Sequence, residues 1–290
     1  MKKSILIFMC FIISCSGETG VNQYRQLKVN EDNPKFVGVT KTLDIEWRTV
    51  FNHSYNRIDI LKMDVFEPSV QISNKPAIVF LGGGGSVEVH KQAQEDFRFF
   101  FARRGYWVTS IEVRVTHPDS SHRCMVDIGA DFASAISWVR ENSDSLGVNE
   151  NRVFGVGSSM GASAAMTAAY VDTSFLLDEF VPFDWIPDAV ASFSGTLDWN
   201  PVWPCSWLSE IESGEPFTKM WIGRKDPLWE IQRKTFLAAN AVGVASGQLV
   251  NRGHGIPGMG EIWSAEQALK FLQMFAPETG INQIEDKRVF

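Results

Sequence analysis

Four short stretches of this sequence hold groups that could do chemistry together. Gly157-Ser158-Ser159-Met160-Gly161 sets a serine between two glycines. His254 lies in Asn251-Arg252-Gly253-His254-Gly255, and Asp226 in Gly223-Arg224-Lys225-Asp226-Pro227. Gly82-Gly83-Gly84-Gly85 offers a run of backbone N–H groups with no side chains in the way. A serine hydroxyl is too weakly acidic to attack a carbonyl unaided. A neutral imidazole can take its proton and later return it to a leaving alcohol. A carboxylate on the far ring nitrogen fixes the tautomer and stabilises the imidazolium. A glycine loop can lend N–H donors to a transient oxyanion, and losing one side-chain donor to an oxyanion has cost about 10²–10³ in rate in a protease. Together these residue types point to nucleophilic acyl transfer with Ser159 attacking, His254 shuttling the proton and Asp226 orienting it.

Plainer explanations stand beside each motif. The small residues around Ser159 also suit close helix–sheet packing. Gly155-x-Gly157 could open a dinucleotide fingerprint, but Met160 stands where the third glycine belongs. Gly82–Gly85 could cradle a phosphate, yet Ser86-Val87 follows in place of Gly-Lys-Ser/Thr. An Asp before a proline is a frequent turn residue, and Asp198 in Ser194-Gly195-Thr196-Leu197-Asp198 is a rival acid. The other histidines, His53, His90, His117 and His122, lie in no comparable context.

Positioning such groups requires a rigid frame, and the hydrophobic pattern supplies one. Ile58–Val65, closed by Pro68, reads as an imperfect period-two strand, and Ala77–Leu81 as a fully buried one. Gln92–Arg104 reads as a helix ending at Gly105, with Arg103 and Arg104 in its last turn, and Tyr106–Val113 as the next strand. Met125, Ile128, Phe132, Ile136 and Val139 mark an amphipathic helix. Arg152–Val156 is a short strand running into a small-residue helix from Met160 to Tyr170. Strands at Ala189–Phe193, Thr218–Ile222 and Ser246–Val250 follow, with a helix near Leu228–Ala241 between the last two. Ser264-Ala265-Glu266-Gln267 reads as the capping box of a final helix with Leu269, Leu272 and Phe275 on its inner face. Alternating strands and helices predict an α/β fold: a mostly parallel central sheet, helices on both faces, and chemistry at the carboxyl ends of the strands. Ser159, Asp226, His254 and the four glycines all fall just after predicted strands, and the helix N-terminus behind Ser159 favours developing negative charge.

The composition agrees. The chain has 290 residues, 44% hydrophobic and 21% charged, which suits a folded domain and not a disordered or coiled-coil chain. Lys plus Arg is 27 and Asp plus Glu 34, a formal charge of −7, and no basic block suggests nucleic acid as a partner. Met1-Lys2-Lys3 followed by the apolar run Ile5–Ile13 is too short to span a bilayer and suits a signal peptide. Ile12-Ile13-Ser14-Cys15 resembles the bacterial lipoprotein cleavage box. That resemblance implies a signal peptide at 1–14, lipidation at Cys15, and an exported, membrane-anchored protein of the cell envelope, facing the periplasm or the surface; a secreted soluble protein is the alternative. Residues 15–36 then read as a tether, 37–279 as the folded domain and 280–290 as a polar tail. Of the remaining cysteines, Cys124 and Cys205 can form a disulfide in an exported compartment or stay as two thiols. Their spacing gives no metal signature, and no cofactor is implied.

The motifs as a set resemble an α/β-hydrolase esterase of the carboxylesterase, acetyl-esterase and feruloyl-esterase-like group, from about Ile58 to Phe275. Carrying the likeness are Lys62-Met63-Asp64-Val65 with Pro68, PAIVFLGGGG, Arg103-Arg104-Gly105-Tyr106, GVGSSMGASAA, SGTLD, IGRKDP and GHG. The order Ser159, Asp226, His254 is that of the family. The resemblance implies a serine esterase without a large cap domain, with Gly83, Gly84 and Met160 amides forming the oxyanion hole. The family's usual His-Gly-Gly-Gly departs here, because Gly82 stands where the His belongs. A peptidase of the same fold, or a non-catalytic binding protein that retained it, is the alternative. The expected substrate is a small-molecule or carbohydrate ester. Trp199, Trp203 and Trp207, with Pro201 and Pro204, either line its pocket or form core, while Trp229 and Trp263 are expected to pack. Arg114, Arg123 and Arg252, near loop positions, could meet an acidic substrate, but are expected at the solvated surface. The oligomeric state stays open.

Overall fold

The computed structural model describes residues 37–85, 87, 91–116, 125–171, 184–199 and 205–276. The segments 1–14, 15–36 and 280–290, and with them Cys15, lie outside the described residues, as do His90, His117, His122, Arg123, Cys124, Pro201, Trp203 and Pro204.

Eight strands form one sheet: β1 (Val39–Asn52), β2 (Arg57–Pro68), β3 (Lys75–Leu81), β4 (Trp107–Ile111), β5 (Val148–Ser158), β6 (Ala189–Phe193), β7 (Phe217–Gly223) and β8 (Ala245–Val250). Their spatial order is β1-β2-β4-β3-β5-β6-β7-β8. β1 and β2 form an antiparallel hairpin, and β2 pairs antiparallel with β4. From β4 to β8 every pairing is parallel. The described helices are α1 (Glu95–Ala102), α2 (Val126–Glu141), α3 (Ser143–Leu146), α4 (Met160–Tyr170), α5 (Trp229–Ala241), α6 (Gly255–Met259) and α7 (Glu261–Leu272).

β3 shows why the middle of the sheet reads as a continuous apolar run. Ala77, Val79 and Leu81 point into the core shared with α2, α4 and α5, while Ile78 and Phe80 point into the core shared with α1, α6 and α7. Both faces are covered, so Ala77–Leu81 are apolar throughout. The chain crosses from β4 over β3 to reach β5, and then proceeds outward through β6, β7 and β8. The loops after β3 and β5 thus flank the point where the winding reverses, the place where such sheets open a crevice.

Four sequence expectations change. β1 has no counterpart in the sequence reading; register shifts after Thr42 and Glu46, and a positive φ at Asp44, break its period of two. α1 is shorter than expected. It starts at Glu95, behind a left-handed Gln94, and ends before Arg103 and Arg104, so its last turn holds no basic residue. Ser264 is no cap: α7 begins at Glu261 behind Gly260 (φ 91°), and Ser264 is buried inside the helix with its hydroxyl unpartnered. Ser264, Ala265, Ala268, Phe271 and Leu272 are the buried residues of α7, with Leu269 and Phe275 only partly buried beside them. Finally, Arg114 is not at the surface. It is buried, and its guanidinium grips Asp131 of α2 through Nε (3.0 Å) and Nη2 (3.0 Å). Arg48 of β1 reaches the same carboxylate at 2.8 Å.

Candidate active site

Ser159 sits in the turn between β5 and α4 with φ 56° and ψ −118°, a region that non-glycine residues avoid. Its neighbours explain the glycines on either side. A Cβ on Gly157 would lie 2.2 Å from the Gly161 carbonyl carbon, and one on Gly161 would lie 1.9 Å from the Leu81 oxygen. Only hydrogen fits at either place, so the tight strand–serine–helix turn needs both. The backbone around the turn is tied to two adjacent strands: Ser159 N donates to Phe193 O (2.8 Å) and Gly161 N to Gly82 O (3.2 Å).

His254 comes from the loop after β8. Its Nε2 lies 2.6 Å from Ser159 Oγ, and its Nδ1 lies 2.7 Å from Asp226 Oδ2. The imidazole is about one-third exposed (35%), while the Asp226 carboxylate is sealed (0%). Asp226 follows β7 and accepts two further bonds, from Gln232 Nε2 of α5 (2.7 Å) and from Leu228 N (2.9 Å). Burial pushes the Asp226 carboxyl up; the hydrogen bonds from His254, Gln232 and Leu228 N outweigh it, and the acid stays below the usual aspartate value. The structure thus brings together Ser159, His254 and Asp226 from the ends of β5, β8 and β7. Asp198, the rival acid, is elsewhere engaged: its Oδ2 pairs with Lys234 Nζ at 3.0 Å.

The glycine loop passes beside the serine. A Cβ on Gly83 would be 3.3 Å from Ser159 Cβ and 3.8 Å from its Oγ. Met160 is the first residue of α4, so its N–H lies outside the helix ladder. Gly82, at the place of the family's histidine, holds the loop to the helix start through its carbonyl. Beyond the loop, buried Lys91 adds an anchor that the sequence did not reveal. Its ammonium meets Asp44, Asp64 (3.3 Å) and Glu112 (3.3 Å). Its carbonyl accepts from Ser110 Oγ (2.9 Å) and from Arg98.

The other described candidates pack against neighbours outside the triad. Trp199 is buried in the core, and Trp207 packs partly buried against it. Arg252 donates to Met259 O (2.5 Å) and stacks over Trp263 at 4.5 Å, so it braces the His254 loop and is not simply solvated. Trp229 opens α5 half-buried. His53 stacks edge-on against Phe51 at 4.9 Å. Among the described residues, no group of three or more His, Cys, Asp or Glu side chains could hold a metal ion. Likewise, no described helix is long and apolar enough to cross a membrane.

Comparison with known proteins follows the same lines. The BD-FAE family profile matches residues 63–240, more than half of the chain. Comparison with curated proteins gives no match. Among solved structures, esterase 2 of Thermogutta terrifontis phosphorylated by paraoxon superposes with a TM-score of 0.68 at 21% identity, covering 81% of this chain and 94% of that one. The same esterase phosphonylated by cyclosarin gives 0.67 at 22% identity, with 80% and 92% covered. Its butyrate-bound form gives 0.66 at 21% identity, with 80% and 96% covered. At these identities the likeness establishes the α/β-hydrolase fold.

Proposed function

Because the chain belongs to the BD-FAE family, of α/β-hydrolase esterase type, we propose that it hydrolyses carboxylic esters through a Ser159–His254–Asp226 triad and an acyl-enzyme. The observation that carries this is the pair of short contacts through one imidazole, 2.6 Å to the serine and 2.7 Å to the carboxylate. In the resting site His254 Nδ1–H donates to Asp226 and the Ser159 hydroxyl donates to Nε2. As Ser159 Oγ attacks the ester carbon, its proton passes to Nε2. Asp226 stabilises the imidazolium without itself taking the proton. The carbonyl oxygen becomes an oxyanion facing the amides of Gly83, Gly84 and Met160, where fixed N–H dipoles stabilise it. The tetrahedral intermediate collapses, Nε2–H protonates the departing alkoxide, and the alcohol leaves. Water, deprotonated by the same nitrogen, then attacks the acyl-enzyme; the acyl–Oγ bond breaks, Nε2–H returns its proton to Ser159 Oγ, and the acid leaves.

The substrate class is a small-molecule or carbohydrate ester. The imidazole is partly exposed at the rim of the sheet, so the reacting bond can approach from solvent. A panel of aryl esters of varied acyl length and of acetylated sugars tests this. Turnover of at least one member, abolished in Ser159→Ala, is the expected result. A folded wild-type protein that turns over none of them would favour the peptidase or the binding protein.

The location of the site in the cell is a separate proposal. Lys2-Lys3, the apolar run Ile5–Ile13 and Cys15 support an exported lipoprotein anchored through acyl chains on Cys15. Two or more chains give stable anchoring where one is marginal. Cys15→Ser should move the protein from the membrane to the soluble fraction; unchanged partitioning would refute the anchor.

A further inference from the structure

The histidine loop is held over the serine by two side chains outside the triad. Gly255 and Ile256 are the first two residues of α6, so their N–H groups lie outside the helix ladder. Both are claimed by buried serines: Gly255 N donates to Ser194 Oγ (2.9 Å) and Ile256 N to Ser158 Oγ (2.9 Å). Ser158 is the last residue of β5 and directly precedes Ser159; Ser194 directly follows β6. The two strands pair in register at Ser158 and Phe193, so the hydroxyls sit at neighbouring strand ends beneath one stretch of backbone. Both side chains are almost wholly buried, at 1% and 4% exposure.

The fit leaves no slack. Gly255 has φ 59°, and a Cβ there would lie 2.6 Å from Ser158 Oγ. Ser194 itself holds φ 61° and donates its own N–H to Trp221 O (3.0 Å), so its hydroxyl direction is set by strained backbone between β6 and β7. Removing either hydroxyl would strand a buried amide, and the loop would shift to recover a partner.

We infer that Ser158 and Ser194 are positioning residues that lock the backbone after His254, and so hold the imidazole at reacting distance from Ser159. This rests on the triad proposed above. Displacing a reacting group by about 1 Å can cost on the order of 10²-fold in rate, so the effect should fall on kcat and act only through His254.

A mutant cycle tests it. Ser158→Ala, Ser194→Ala and the pair are made in the full chain and again in His254→Ala, and assayed on p-nitrophenyl acetate with melting temperatures alongside. With His254 present, each single change should lower kcat about tenfold and the pair on the order of 10²-fold, with KM held within about twofold. Without His254, the same changes should alter the residual rate by less than about twofold. If the pair does not fold, the two single cycles decide the matter. Equal losses in both backgrounds, or an unchanged kcat with His254 present, would overturn the inference. Ser159→Ala is the separate control: full activity in it would remove the triad itself, whatever the two serines do.

Discussion

Asp226 and Asp131 are carboxylates sealed to the same degree, both at 0% side-chain exposure, but their partners differ in kind. Asp131 is gripped by Arg114 and Arg48, guanidiniums whose charge is fixed at any ordinary pH. They tie the chain after β4 and the β1 edge to α2. Burial pushes the Asp131 carboxyl up against the pull of both cations. Asp226 instead faces an imidazole, a ring that can take up and return a proton, and that ring continues to a serine on a strained turn. Burial of an acid therefore does not mark chemistry. Connection to a group that can gain and lose a proton at the rim of the sheet does.

The widest separation between the two acids should appear in rate. Asp226→Asn should lower kcat by about 10⁴-fold, the size seen when a triad carboxylate is lost elsewhere, with KM little changed. Asp198→Asn, whose buried carboxylate is engaged by a half-exposed lysine and not by the imidazole, should lower it by less than about threefold. Steady-state kinetics on one ester checks both, and a larger fall in Asp198→Asn would reassign the acid.

Stability should show the reverse order. Asp131→Asn removes the sealed carboxylate that Arg114 and Arg48 share and should cost about 3–5 kcal/mol, read from denaturant unfolding, while the folded fraction keeps its kcat. An Asp131→Asn protein that melts normally but is catalytically dead would erase the contrast.

A smaller effect sharpens it through pH. The Asp226 carboxyl is held below the ordinary aspartate value, so its ionised form favours the fold. That contribution is whole above the unfolded value near 3.9 and is lost as pH falls through the lower folded one. Wild-type melting temperature should therefore fall more steeply below about pH 4 than that of Asp226→Asn, which has no such titration. Parallel curves would contradict the assignment of that carboxylate as the one His254 stabilises.

Much of this arrangement was legible in the sequence because it rests on local signals. AIVFL before four glycines reads as a strand buried on both faces. GVGSSMG between a strand and a small-residue helix reads as a tight turn, and the helix from Met160 to Tyr170 has the bounds its residues suggest. Asp226 and His254 were placed by their position after predicted strands. What stayed hidden depends on partners far along the chain. β1 escaped because bulges broke its alternation. Arg114 looked like surface because its partner Asp131 lies 17 residues on, in another element. Gln232, which shares Asp226 with His254, sits at no diagnostic spacing. Ser158 and Ser194 acquire meaning only once β5, β6 and the His254 loop are brought side by side. The capping box at Ser264 failed because Gly260 had already started the helix one turn earlier.

The central claim is that Ser159 is the activated nucleophile. Its most direct test is a fluorophosphonate probe on the folded full-length protein, with the adduct mapped by mass spectrometry. One adduct on the peptide carrying Ser159, absent from Ser159→Ala and slowed in His254→Ala, is the result predicted here. A folded wild-type protein that takes up no probe, or takes it up at another residue, would contradict it.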